Sequence, residues 1–363
     1  MLPGKTETVR VSLTRILATV GFMLFLGAQV HTNAQDALTA SARNSQPQLF
    51  SESSRRVIFD TSAFNGPNSD LPYWDKGYLV KREIENFQKD LPNVAIFDGT
   101  GQKARQAVVW FPGSIRVLVA SAAVTLDGRI LAAGESDLPD GTAAPFIALT
   151  DLAGKLANVI QTKDFYPQNV CSAPDGTVWS FGNTFWDEEK RQPKPGETLR
   201  HFDFKKGQLG AYVPQATFGD ILAPSALGYI RCTASSVSVY SRRANVYIEM
   251  PYAADAPQVY HIQGSSQLSL KGFASSGPKR VYGVLDNRVG SENTSVGLYT
   301  LAFDDKNMTV SWKPVDGAVG SPKQPGTIAM LWGIDGENLV IGRTQDPVGM
   351  TALLWVPSPA PEH

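Results

Sequence analysis

The chain has 363 residues, 42% apolar and 18% charged, a composition that excludes a disordered or low-complexity protein. Its 33 basic and 34 acidic residues leave a net charge of −1 with no long run of either sign. Phosphate binding needs a concentrated cationic field, so nucleic acid is not expected as a partner, although a local basic patch is compatible with this balance.

In chain order the first signal is a secretory one. Lys5, Arg10 and Arg15 precede an apolar run from Ile16 to Ala28, and Thr32 and Ala34 follow at the spacing a signal peptidase reads. Residues 1–34 are expected to be a signal peptide, and the mature protein is expected to be secreted or periplasmic. A membrane anchor is the alternative, but the run falls short of the roughly 20 residues that span a bilayer. No Cys follows it and Arg10 and Arg15 are not adjacent, which argues against a lipoprotein and a twin-arginine signal. No later stretch is apolar enough to span, so no integral membrane span is expected after signal removal. Residues 35–54 read as a flexible leader, 55–356 as a single β domain and 357–363 as a short tail.

Within 55–356 one pattern recurs. Asp127-Gly128, Asp175-Gly176 and Asp335-Gly336 are each followed by five mostly apolar residues and then by Gly134, Gly182 and Gly342. Asp-Gly between apolar runs predicts a hairpin with positive φ at the central turn residues. The first two copies lie 48 residues apart and the last two 160, close to three such steps. Degenerate copies are expected at Arg231–Ser241 and at Val281–Val289, the latter with Asp286-Asn287 as its turn. A further copy is expected at Asp75-Lys76-Gly77.

A second hairpin is expected after each. The predicted pairs are 93–97 with 107–111, 146–150 with 156–161, 199–204 with 209–213, 259–262 with 268–270, and 298–303 with 308–312. Two hairpins per step of about 50 residues predict four-stranded antiparallel propeller blades. The last unit lacks its fourth strand, which Arg56–Asp60 is expected to supply, closing the ring and removing an open edge. No innermost strand is evident for the first unit between Thr61 and Trp74.

The D-G-x-x-x-x-x-G hairpin, repeated over most of 55–356, resembles that of exported bacterial six-bladed β-propellers of the TolB-like and NHL-like kind. The resemblance implies an all-β, six-bladed propeller. Seven blades, or two β domains, are the alternatives. It implies no single activity, because such folds host lactonases, lyases, sugar binders and interaction modules.

The Asp-Gly turns are tight, whereas the second-to-third connections read as long loops crowding one face around the axis, where function is expected. Candidate ligand-binding residues on them are Trp186, Asp187, Arg242, Arg243, Asp286, Arg288, Arg343 and Asp346, with Tyr247, Glu249 and Tyr252 in the same predicted loop as the arginine pair. Aromatic rings beside arginines and carboxylates suit a small molecule, a saccharide, a peptide or an envelope protein. The bland alternative is a set of solvated rim charges.

No catalytic elbow, His-Glu-x-x-His, Cys-x-x-Cys or Walker loop is present. His201 and His261, each on a predicted third strand, read as structural. A divalent metal such as calcium, held by scattered carboxylates, would leave no linear motif. The expectation is therefore a binding module, with a metal-dependent hydrolase or lactonase-like enzyme sited in the axial funnel as the alternative, and an envelope docking platform as a third reading. Cys171 and Cys232 fall on matching innermost strands of neighbouring units. They are either bridged or two buried thiols.

Overall fold

The computed structural model describes residues 55–359 except 63–71, 188, 265–267, 290–292, 321–328 and 346–349. The signal and leader expected at 1–54, and most of the tail, lie outside the described residues.

The strands in chain order are β1 (Arg56–Asp60), β2 (Tyr73–Asp75), β3 (Tyr78–Arg82), the two-residue β4 (Glu85–Asn86), β5 (Val94–Asp98) and β6 (Lys103–Ala107). Then come β7 (Arg116–Val124), β8 (Ile130–Asp137), β9 (Ala143–Thr150), β10 (Leu156–Gln161), β11 (Phe165–Ser172) and β12 (Val178–Thr184). They continue with β13 (Trp186–Asp187), β14 (Gln192–Pro193), β15 (Glu197–Asp203), β16 (Gly207–Pro214), β17 (Gly228–Cys232) and β18 (Ser236–Ser241). The remainder are β19 (Val246–Pro251), β20 (Gln258–Gln263), β21 (Leu268–Gly277), β22 (Arg280–Val289), β23 (Asn293–Asp304), β24 (Thr309–Gly320), β25 (Ala329–Asp335), β26 (Asn338–Gln345) and β27 (Met350–Pro357).

Consecutive strands pair antiparallel into meanders: β2-β3-β5-β6, then β7-β8-β9-β10 with β4 added on the β7 edge, then β11-β12-β15-β16. The short ribbon β13-β14 interrupts the third. β17-β18-β19-β20 and β21-β22-β23-β24 follow, joined into one eight-stranded sheet where the outer strands β20 and β24 run parallel from His261–Thr309 to Gln263–Ser311. The last sheet is β25-β26-β27-β1, with Arg56 opposite Leu354 and Asp60 opposite Met350. The leading strand of each meander neighbours that of the next, through β7, β11, β17, β21 and β25, and β2 returns to β25. The fold is all-β and propeller-like, with its ends clasped in one sheet.

Burial follows position in the sheet. The second strands β12 (VWSFGNT) and β18 (SVSVYS) are buried at every residue, because both of their faces meet other sheets. The outermost β6 (KARQA) and β10 (LANVIQ) are largely exposed, and β6 carries Lys103 and Arg105, charges that blunt an edge.

Turn chemistry differs among the repeats. At Asp75-Lys76-Gly77-Tyr78 both central residues have positive φ (47° and 84°), the primed turn that suits strand twist. At Asp127-Gly128 and Asp175-Gly176 only the glycines are left-handed (80° and 83°). Gly128 N donates to Thr125 O and Gly176 N to Ala173 O, so these are three-residue loops ending in a left-handed glycine. The sequence expectation of a two-residue primed turn is corrected there.

Three other expectations are corrected. The 242–257 loop contains β19, so the second-to-third connection shrinks to the turn at Arg242–Asn245, and Tyr247 and Glu249 are buried strand residues. The chain reverses there because Asn245 accepts φ 55° and Ser241 Oγ accepts from Ala244 N. The hairpin expected between 259–262 and 268–270 does not form, since β20 ends one meander and β21 starts the next. His261 therefore sits on a fourth strand. Lastly, Asp286-Asn287 is not a turn: both residues lie in β22, opposite Val296 and Ser295, and the turn falls before it, between Gly277 and Arg280.

Candidate ligand cavity on the axis

The terminal glycine of each repeat has a structural task. Gly134 pairs with Val119, and the register of β7 slips between Val119 and Ser121. Gly182 pairs with Pro167, and β11 slips between Pro167 and Asn169. Gly342 pairs with Met330, and β25 slips between Leu331 and Gly333. Each is a β-bulge on the innermost strand, and the glycine makes room for it. A Cβ at Gly134 would lie 1.8 Å from Leu118 O, and one at Gly182 would lie 2.1 Å from Tyr166 O. A bulge re-aims the side chain at the extra position. The extra residues are Ala120, Gln168 and Trp332, with Gly272 in the equivalent slip of β21, and all four line one cavity.

That cavity has a volume of about 420 Å³. Its walls come from every meander: Tyr73 and Arg82, Ala120 and Ser121, Gln168 to Val170, Gly228 to Arg231, Gly272, and Met330 to Trp332. Arg82, Ser225, Leu227 and Arg242 lie at the end where the second-to-third connections gather. The size falls in the range of small-molecule sites.

The polar wall is bound to itself. Asn169 Nδ2 donates to Ser225 O at 3.0 Å, and the single proton of Ser225 Oγ is shared between Asn183 Oδ1 at 2.7 Å and Gln168 Oε1 at 3.0 Å. Val170 N donates to Ser121 Oγ. The charge is one-sided. Arg82, Arg231 and Arg242 line the cavity, and the described lining contains no carboxylate and no imidazole.

Arg231 is the central group. Its guanidinium lies 5.1 Å from the Tyr73 ring centre and 5.9 Å from that of Tyr229. Its Nη1 donates to Ile230 O at 2.8 Å, while Nε is buried without a hydrogen-bond partner among the described residues. Burial pushes its pKa below the ordinary arginine value, against the opposing pull of Tyr73, Asp75 and Tyr229. Asp75 is already engaged: its Oδ1 pairs with Lys76 Nζ at 3.0 Å and its Oδ2 accepts from Val124 N at 2.8 Å.

A disulfide joins Cys171 on β11 to Cys232 on β17, with Cα atoms 5.5 Å apart. It ties together the two strands that carry Val170 and Arg231 into the cavity wall.

Of the residues singled out from sequence, Arg242 lines the cavity and Arg243 does not. Trp186 (37% exposed) and Asp187 stand on the β13-β14 ribbon, away from the lining. Asp187 is a turn residue: its Oδ1 accepts from Lys190 N at 3.1 Å, and that bond holds its carboxyl below the usual value. Asp286 and Arg288 lie in β22 and Arg343 in β26, while Asp346 is outside the described residues. His201 is stacked on Trp179 at 4.3 Å and bonded to Thr177 Oγ1, and burial lowers its pKa. Its setting is that of a packed residue. Sequence reasoning missed Arg82, Arg231, Tyr73 and Tyr229. The one signal that pointed to the axis was the closing glycine of each repeat, which marks the bulge beside it.

No protein-family model matches the chain, and no curated protein matches it. Among solved structures it is similar to a gluconolactonase from Xanthomonas campestris, at 13% identity and TM-score 0.39, covering 85% of this chain and 92% of that one. It is similar to TolB from Acinetobacter baumannii at 13% identity and TM-score 0.36, over 90% of this chain and 69% of that one. It is similar to a glucose dehydrogenase at 10% identity and TM-score 0.41, over 84% and 100%. Likeness at this level carries no argument about chemistry.

Proposed function

We propose that this chain is an exported six-bladed propeller that binds a small ligand in its axial cavity, on the face of the second-to-third connections. The observation that carries the reading is the cavity itself, about 420 Å³ and lined from every meander by bulged or innermost residues. The count of six rests on dividing the eight-stranded sheet at its parallel β20–β24 seam, which leaves six four-stranded meanders. Export is supported by the N-terminal pattern and by the Cys171–Cys232 bridge, since such bonds persist in oxidising compartments. Among the described residues, no helix is long and apolar enough to cross a membrane.

The metal-dependent hydrolase alternative has less support. A divalent cation is held best where carboxylates join neutral oxygens, and the described lining has three guanidinia and no carboxylate. Among the described residues, no three His, Cys, Asp or Glu are grouped to share an ion.

The test is a thermal-shift screen of sugars, organic acids and short peptides on the purified chain, followed by titration. A ligand at a hundred times its Kd stabilises by about 2.7 kcal/mol. Ala120→Phe, which places a ring in the cavity, is expected to abolish binding of the hit. A hit whose affinity is unchanged by Ala120→Phe removes the cavity as the site.

A further inference from the structure

The chemistry of the cavity points beyond a generic ligand. We infer that it takes a small organic acid whose carboxylate is seated on Arg231, a deepening that rests on the cavity reading above.

Three observations support this. First, Arg231 Nε is buried at the cavity wall without a hydrogen-bond partner among the described residues, although Nη1 is satisfied by Ile230 O. A buried cationic N–H left without an acceptor is costly, and an incoming acceptor removes that cost. Second, the field is of one sign. Arg82 and Arg242 lie on the same lining as Arg231, with no carboxylate among its described residues, and Asp75 is already paired with Lys76 and Val124 N. An anion entering from the connection face passes Arg242, which is exposed there, before it reaches Arg231. Third, Asn169 Nδ2 is engaged by Ser225 O and Gln168 Oε1 by Ser225 Oγ, whereas Arg231 Nε and the indole Nε1 of Trp332 are the buried side-chain donors of the lining without a partner among the described residues, so both await an acceptor.

The form of the anion follows from geometry. One planar guanidinium edge matches one planar carboxylate, by two parallel N–H···O bonds. Tyr73, Tyr229, Trp332 and Ile230 supply the surface against which the body of the ligand would lie. The rings of Tyr73 and Tyr229 lie 5.1 and 5.9 Å from the guanidinium carbon, within reach of cation–π attraction.

The test is calorimetric titration of the purified chain with glucuronate and phenylacetate, with their uncharged counterparts glucose and phenylacetamide, and with inorganic phosphate. At least one acid is expected to bind, at least about 30-fold tighter than its uncharged counterpart. Arg231→Met should lose at least about 30-fold in affinity for that acid at an unchanged unfolding midpoint, and Arg231→Lys, which keeps charge but not the fork, should lie between. Arg242→Ala, at the mouth, should cost only about 3-fold.

The proposal is overturned if both acids fail to bind at millimolar concentration, if they bind no tighter than their counterparts, or if Arg231→Met binds as the native chain does. It is also overturned if phosphate binds tighter than both acids with the same dependence on Arg231. The two readings fail differently. Should uncharged probes bind as tightly as the acids and Ala120→Phe abolish that binding, the cavity stands and the carboxylate seat falls. Should acids bind equally to Ala120→Phe, both fall.

Discussion

Replacing both cysteines with alanine tests how far the bond between β11 and β17 stabilises the fold. The bridge spans 61 residues of chain, Cys171 to Cys232. Closing a loop of that length removes roughly 14 cal/mol/K of entropy from the unfolded chain, or about 4 kcal/mol at 25 °C. Alanine leaves no buried hydroxyl where Cys171 is enclosed, so little else is expected to change. With a urea slope of about 3 kcal/mol/M for a domain of this size, the midpoint should fall by somewhat more than about 1 M. The melting temperature should fall by roughly 6 °C. The assay is equilibrium urea unfolding followed by tryptophan fluorescence, on the native chain with and without reductant and on the double variant. Reduced native chain and double variant are expected to coincide. Thiol titration of the unfolded, unreduced chain should find no free thiol. A double variant within about 1 kcal/mol of the oxidised chain refutes the loop-closure reasoning.

Four further outcomes are expected. Gly134→Ala drives a methyl into Leu118 O and should destabilise by about 3 kcal/mol or unfold the chain, read by thermal denaturation. Glu249 is buried with its pKa raised by desolvation, so the native state binds a proton that the unfolded state has lost. Stability should fall as pH rises from the ordinary carboxylate value through the raised one, and Glu249→Gln should flatten that slope in pH-dependent urea titrations. Replacing Trp186 and Asp187 together with alanine should leave cavity affinity within about twofold, since the ribbon lies off the lining. Mass analysis of the protein recovered from producing cells should place its N-terminus at Gln35, and an intact Met1 end would refute the signal reading.

Much of the fold was legible because it is written in local chemistry. Asp-Gly turns, short β-branched runs and a step of about 50 residues are signals within a few residues of one another. The pairing of Arg56–Asp60 with the last sheet was legible for a different reason: a meander missing one strand leaves an edge that the chain must cover. The misreadings share a cause. Val246–Pro251 is a buried strand whose Tyr247 and Glu249 read as loop polarity, because their partners, Ser238 and the backbone of Lys279, come from distant residues. Asp286-Asn287 carries turn chemistry but is held extended by strands on both sides.

By itself the sequence determined the class of structure, the repeat and the face where connections gather, since these depend on periodicity and turn residues. Only the tertiary structure decided the site. Arg82, Arg231, Tyr73 and Tyr229 lie on innermost or second strands from two meanders far apart in the chain and share no spacing. They meet because a ring of sheets converges on its axis, and bulges opposite glycines turn further side chains into the same space. Convergence of that kind is set by closure of the whole chain, and no local stretch records it.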